Sequence, residues 1–155
     1  MADIDTSRLL WIVTGVQLRA ELGDRSLAYR IEGEARRLLK ELLPSGDGEP
    51  ARMTPVVVAD VYYLNNEDIQ DQPVISVGGP GVNAVSNSLL NDVATAVAIE
   101  NSLLVQMDVE MNDLRCAVWG MDHLQTVQAV DLFLAKGYLE MFIRGVVKWA
   151  EETKL

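Results

Sequence analysis

Cysteine and histidine occur once each, as Cys116 and His123, so thiol–imidazole chemistry would have to use that pair. Cys116 lies inside the apolar run 114–119 (LRCAVW), where a strand core favours a small apolar residue, and a core thiol is the expectation. His123 directly follows Asp122. One reading makes Asp122 the group that orients or deprotonates an acid–base or metal-binding imidazole. The other makes Asp122 a helix cap and His123 an exposed first-turn residue. The cap reading is preferred, because Gln125 stands three positions after Asp122, as in a capping box. Asp60 ends the apolar run 55–59 (PVVVA), a frequent place for an acid–base or metal-binding carboxylate. Topology makes it the nearest partner for His123. These three are the catalytic candidates, and no metal or other cofactor is expected.

The second constellation is GGPGVNAVS, residues 78–86. It follows an apolar run and precedes a helix-like pattern, as a phosphate-cradling loop does. It matches neither standard phosphate motif. The G-K-[ST] ending of a P-loop is missing, and the glycines do not follow G-x-G-x-x-G, although Ala84 is the small residue some fingerprints accept last. Pro80 stiffens the loop and removes a donor. Arg52 and Arg115 are the only basic residues within thirty positions on either side, so an anion would need Arg19 or Arg25 from elsewhere. A structural turn is preferred. The functional alternative is a cradle for a small anionic ligand on Gly78, Gly79, Gly81, Asn83 and Ser86.

The elements that must position these residues follow from the pattern. Apolar runs at Leu9–Thr14, 55–59, Val74–Val77 and 114–119 predict buried strands. Residues 103–109 alternate and predict a half-exposed strand at an edge, joined to the next either by a hairpin turn at 110–113 or by a crossover. Residues 16–22 suit a short helical stretch. From 24 to 43, Leu27, Ile31, Ala35, Leu38, Leu39 and Leu42 recur at helical spacing, with Asp24 as the cap. Pro80 suits the first position of the helix after the glycines. Further helices begin at Asp122 and after Gly137. Strands alternating with helices predict one α/β domain over 1–155, with 44–52 as an exposed loop. The architecture expected is three-layered and Rossmann-like or flavodoxin-like, with about five mostly parallel strands and room for one antiparallel edge strand. In such a sheet Thr14, Asp60, Asn65, Asn66, Asn83, Ser86, Asp122 and His123 would gather at the carboxyl rim, where ligands usually sit.

Composition narrows the partners. The formal net charge is −10, and residues 53–114 contain no Lys or Arg. Nucleic acid and anionic membranes, both recognised through basic side chains, are therefore not expected. The acidic opening and the lack of a long apolar run predict a cytoplasmic protein. A receiver-type phospho-acceptor site fails, since Thr14-Gly15 stands where paired acids are needed. Serine hydrolase chemistry fails for want of G-x-S-x-G. Trp11, Tyr62, Tyr63, Trp119 and Trp149 could stack on a base or sugar, but at apolar positions they read as core or interface. A homodimer through the 103–109 edge or the last helix is the expected self-association.

VISVGGPGVNAVSNSLL resembles the GGP-x-x-N segment in domains of archaeal S-layer proteins. VWGMDHLQTVQAVDLFLAKG resembles the second segment of those domains, where a strand and a small turn precede a Thr and a helix. A looser likeness joins VGGPGVNAVSNSLL to the cell-wall-binding repeats of clostridial surface proteins. Together the likeness covers residues 73–136. It implies an α/β module for scaffolding or polymer adhesion without catalysis, in which Gly78, Gly79, Asn83 and Thr126 are motif positions. This chain departs from it in showing no export signal, no tandem repeat and an unrelated front third. The expectation is a small non-catalytic binding or interaction module with a protein partner or a second copy. The alternative is a nucleotide or phosphate-ligand sensor, or a small enzyme, using the carboxyl rim.

Overall fold

A computed structural model of the chain describes residues 5–18, 20–93, 96–100 and 103–153. β1 (Leu9–Thr14) leads through a π-helical turn (Ala20–Asp24) into α1 (Arg25–Leu42). β2 (Thr54–Ala59), α2 (Asp60–Leu64), β3 (Val74–Val77) and α3 (Ala84–Asp92) follow. β4 (Ala96–Glu100), β5 (Leu103–Gln106) and β6 (Arg115–Gly120) precede α4 (His123–Ala135) and α5 (Tyr138–Glu152). One sheet has the order β2-β1-β3-β6-β5-β4. Its first four strands are parallel; β5 runs antiparallel to β6, and β4 antiparallel to β5.

The fold is thus the expected three-layered, Rossmann-like α/β arrangement. Residues of β1 alternate between the two sides, as the pleat requires. Leu10 and Ile12 enter a core with α1, α4 and α5, where Phe133 and Phe142 are fully buried. Trp11 and Val13 face α2 and α3, beside Tyr63, Val85 and Leu89. Burying each such side chain is worth about 1.5–3 kcal/mol, so both faces hold the sheet. The 43–53 connection is pinned at its ends by buried Leu43 and Met53, while residues 44–51 are exposed.

The structure departs from the sequence pattern at several points. The sheet gains a sixth strand, β4, which takes the edge. β5 therefore lies inside the sheet, and edge-to-edge pairing through 103–109 has no free edge to use. Gln106 is buried, because its amide donates to the carbonyls of Leu89, Leu90 and Val93 at the end of α3. The turn at 110–113 does join β5 to β6. It is held by the Asp108 carboxylate, which accepts from the backbone N–H groups of Glu110, Asn112 and Asp113. Asp24 makes no capping bond and already has helical dihedrals, since the π-turn feeds straight into α1. α3 begins at Ala84, four residues after Pro80. Pro80 instead sits in a turn closed by Val82 and Asn83 N–H groups on the Gly79 carbonyl. Among the described residues, no helix is long and apolar enough to cross a membrane.

Candidate functional site

The four parallel strands end on one side of the sheet, and the residues that follow them form a rim. It has two halves, which differ in what fills them.

The half above β1 and β2 is closed by the protein's own groups. A Cβ on Gly15 would lie 1.7 Å from the Val82 carbonyl oxygen, so the 79–83 turn packs directly on the end of β1 and only glycine fits there. Asn83 is 1% exposed. Its oxygen accepts from Val85 N (3.0 Å) and Ser86 N (3.3 Å), capping α3. Its amide donates to the carbonyls of Val13 (3.1 Å) and Val77 (2.9 Å), tying β1 to β3. Asp60, also buried, accepts from Ala84 N at 2.9 Å and from its neighbour Val61 N at 2.8 Å. Three N–H groups at the start of α3 are thus taken by Asn83 and Asp60, where a bound anion would otherwise be received. Ser86 and Ser76 share a buried hydroxyl–hydroxyl bond of 2.7 Å. Thr14 is buried here as well.

The half above β3 and β6 is open. A cleft of about 320 Å³ is bounded by the 79–82 turn, by Trp119 to His123, by Thr126 and by Asp24. Gly79, Gly81, Asp122 and His123 therefore come together, while Asn83, Ser86 and Asp60 lie outside the lining. Gly78 supports the cleft from below. Its φ of +108° is one that side chains rarely adopt, and its missing Cβ leaves room for the Asp24 carboxylate. Asp122 caps α4 through Gln125 N (2.8 Å), and the Gln125 side chain reaches back to Met121 N (3.2 Å). The Thr126 hydroxyl accepts from Gly120 N (3.1 Å) and donates to the Asp122 carbonyl (3.0 Å), which fixes the turn.

The carboxylate partner of His123 is Asp24, with Nδ1 3.5 Å from Oδ1, and not Asp60 as topology alone had suggested. Asp24 is 5% exposed, whereas the imidazole is more than half exposed and rests against Gly23. Burial pushes the Asp24 carboxyl above its ordinary range, and the hydrogen bond and charge of His123 partly offset the rise. Asp24 was readable in the sequence only as a cap. The signal that could have found it is the pair of glycines, Gly78, which makes room for its carboxylate, and Gly23, which makes room for the His123 ring.

The remaining candidates are placed plainly. Cys116 is fully buried in the core and its thiol is pushed far up by desolvation. Trp11 is buried and bonds Gln72 (2.8 Å), Tyr63 is buried with its phenol pushed up to about 12 by desolvation, and Trp149 packs on the α1–α4–α5 core. Tyr62 is exposed and lies 6.1 Å from the Trp11 ring. Asn65 and Asn66 fall at the end of α2, where the Asn66 amide bonds the Tyr62 carbonyl. Arg25 stands over the Tyr29 ring at 5.9 Å, and Arg19 lies outside the described residues. Among the described residues, no three His, Cys, Asp or Glu side chains gather as metal ligands do.

Fold and cleft together define an α/β domain with a small pocket at the carboxyl ends of its parallel strands. Compared with known proteins, the chain matches no family model, and no curated protein shows significant similarity to it.

Proposed function

We propose that the protein is a non-catalytic binding module whose recognition site is the cleft between the ends of β3 and β6. The observation that carries this reading is the division of the rim. Its β1–β2 half is filled by Asn83, Asp60 and the serine pair, and its β3–β6 half is left as a cleft with buried Asp24 on its wall. The volume lies at the low end of small-molecule sites, roughly 300–1,000 Å³. Nucleophiles are placed elsewhere or committed: Cys116 is in the core, Ser76 and Ser86 hold each other, and the Thr126 hydroxyl is bonded to backbone. The likeness to the GGP-x-x-N domains of S-layer proteins accords with this, since the bonds of Asn83 account for that motif by folding. Exposed Leu18, Leu22, Met121 and Leu124, on the segments after β1 and β6, suit contact with a protein partner or second copy at the same rim.

The test is a fragment screen read by ¹H–¹⁵N chemical-shift changes. Shifts clustered on 79–82, 119–126 and Asp24 support the reading; no clustered response from any fragment overturns it. The Asp24–His123 contact favours a second reading, proton transfer by an enzyme. Its test is turnover of a compound found in the screen. Gly23→Ala would displace the imidazole and leave Asp24, so binding retained with turnover lost would establish that second reading.

A further inference from the structure

The charge of the cleft says what it would hold. Its ionisable lining residues are Asp24, Asp122 and His123, and neither Lys nor Arg is among the lining residues. The Asp122 carboxylate is engaged with the α4 backbone. Asp24 differs: it is nearly buried, it faces the cleft, and its side-chain partner among the described residues is an imidazole that is itself mostly in solvent. A buried carboxylate is costly unless it is paired and fully hydrogen-bonded, and among the described residues its side-chain contact is one of 3.5 Å to a half-exposed ring, which leaves acceptor capacity on the carboxylate. Pro80, Val82, Met121 and the ring of Trp119 add apolar surface to the lining.

Resting on the binding-module reading, we infer that the cleft takes a small organic cation, an ammonium or guanidinium on a short apolar body. The charged N–H groups would donate to the Asp24 carboxylate, completing a pair that burial makes strong, because hydrogen bonds to charged groups are worth more than neutral ones. The apolar body would lie on Trp119 and Val82. His123, which rests on Gly23 and is more than half exposed, would turn outward to admit the cation. Phosphate and carboxylate ligands fit poorly. They would meet two carboxylates with no Lys or Arg on the lining, and the backbone donors of the neighbouring α3 start are already taken by Asn83 and Asp60.

The experiment is titration calorimetry of the full chain at fixed ionic strength with four probes: phenethylammonium, agmatine, 3-phenylpropionate and inorganic phosphate. Either cation should bind, and the anions should not. Asp24→Asn keeps shape and removes the charge, so cation affinity should fall about tenfold or more. Met121→Lys covers the case in which Asp24→Asn does not fold. Met121 is 72% exposed, so the change is tolerated, and an ammonium at the mouth should weaken cation binding several-fold. Cation binding unchanged in either folded variant would overturn the inference as general attraction to an acidic surface. Anion binding in place of cation binding would overturn it while leaving the binding module intact. No response from these probes, together with clustered shifts from some other fragment, would likewise sink the cation and spare the module; a flat result in both experiments would sink both.

Discussion

Replacing Asn83 by alanine tests whether the glycine segment serves folding. Asn83 makes four hydrogen bonds from a side chain that is 1% exposed. Loss of an asparagine cap costs about 1 kcal/mol. Each of the two amide donations, to the carbonyls of Val13 and Val77, is worth about 1 kcal/mol more. Together the loss is about 3 kcal/mol, a large share of the roughly 5–15 kcal/mol that holds a domain. For a chain of this size each kcal/mol moves the midpoint by about 2–4 °C, so Asn83→Ala should melt about 6–12 °C below wild type. Circular dichroism melts and urea titrations with unchanged m-value would measure it. Asn83→Asp sharpens the test. On an exposed helix aspartate caps as well as asparagine, but here it would turn a charged oxygen toward two carbonyls. It should be at least as destabilising as alanine. If Asn83→Asp were as stable as wild type, or Asn83→Ala lost less than about 1 kcal/mol, the clamp between β1 and β3 would be refuted. Asn83→Ala is for the same reason a poor probe of ligand binding.

Three other perturbations have definite signs. The Asp24 carboxyl is raised above its ordinary value of 3.8 by burial, so the folded chain holds that proton more tightly than the unfolded one. Stability from this group is full below pH 3.8 and is lost as pH rises through the raised value. Asp24→Asn should therefore be at least as stable as wild type at neutral pH, with a flatter stability profile from pH 3.8 upward; urea midpoints across pH decide it, and a less stable, equally sloped variant would contradict the argument. Gly15→Ala and Gly33→Ala should move in opposite directions on thermal melts. The first drives a Cβ into the Val82 carbonyl and should unfold the domain, while the second, in the open middle of α1, should gain about 0.5–1 kcal/mol. Removing one hydroxyl of the Ser76–Ser86 pair orphans the other, at about 1–3 kcal/mol, so a double-mutant cycle should show the double alanine losing less than the sum of its parts.

The sequence shows most clearly those elements whose residues are governed by one period. β1 and β3 fall where their apolar runs do, because both faces of each are covered. α1 follows from Leu27, Ile31, Ala35 and Leu38, whose stripe faces the core. What was not legible depends on contacts between distant residues. β4 carries no turn or cap signal of its own, and it displaces β5 from the edge that an alternating pattern seemed to promise. Gln106 looks like a solvent residue until the end of α3 arrives to use its amide. At the rim, single residues announced their chemistry but not their neighbours. His123 was visible at once, whereas its contact with Asp24 spans a chain separation of about a hundred residues and depends on space left by Gly23 and Gly78.

The strand order explains why the opening lies where it does. β1 and β6 hand the chain to α1 and α4 on one face of the sheet, while β3, between them, hands it to α3 on the other. The loop after β3 must therefore part from both neighbours, and a crevice can form on either side of it. On the β1 side the turn leans onto Gly15, and Asn83 bridges the two strand ends, so that crevice is filled. On the β6 side the turn starts close to the strand end, where a Cβ on Gly79 would lie 3.2 Å from the Gly120 carbonyl oxygen, and the cleft beyond it is bordered by the α4 cap and by Asp24 at the head of α1. A phosphate-binding relative of this architecture would leave the start of α3 free and bring a basic residue to it. Here Asp60 occupies the start of α3, and the open crevice carries a second buried carboxylate. The two acids act in opposite senses. Asp60 is hydrogen-bonded into the backbone and closes its crevice, whereas Asp24, whose side-chain partner among the described residues is a partly exposed imidazole, lines the cleft. The cation proposed for the cleft thus rests on the contrast between a carboxylate committed to backbone donors and one that lines the open crevice.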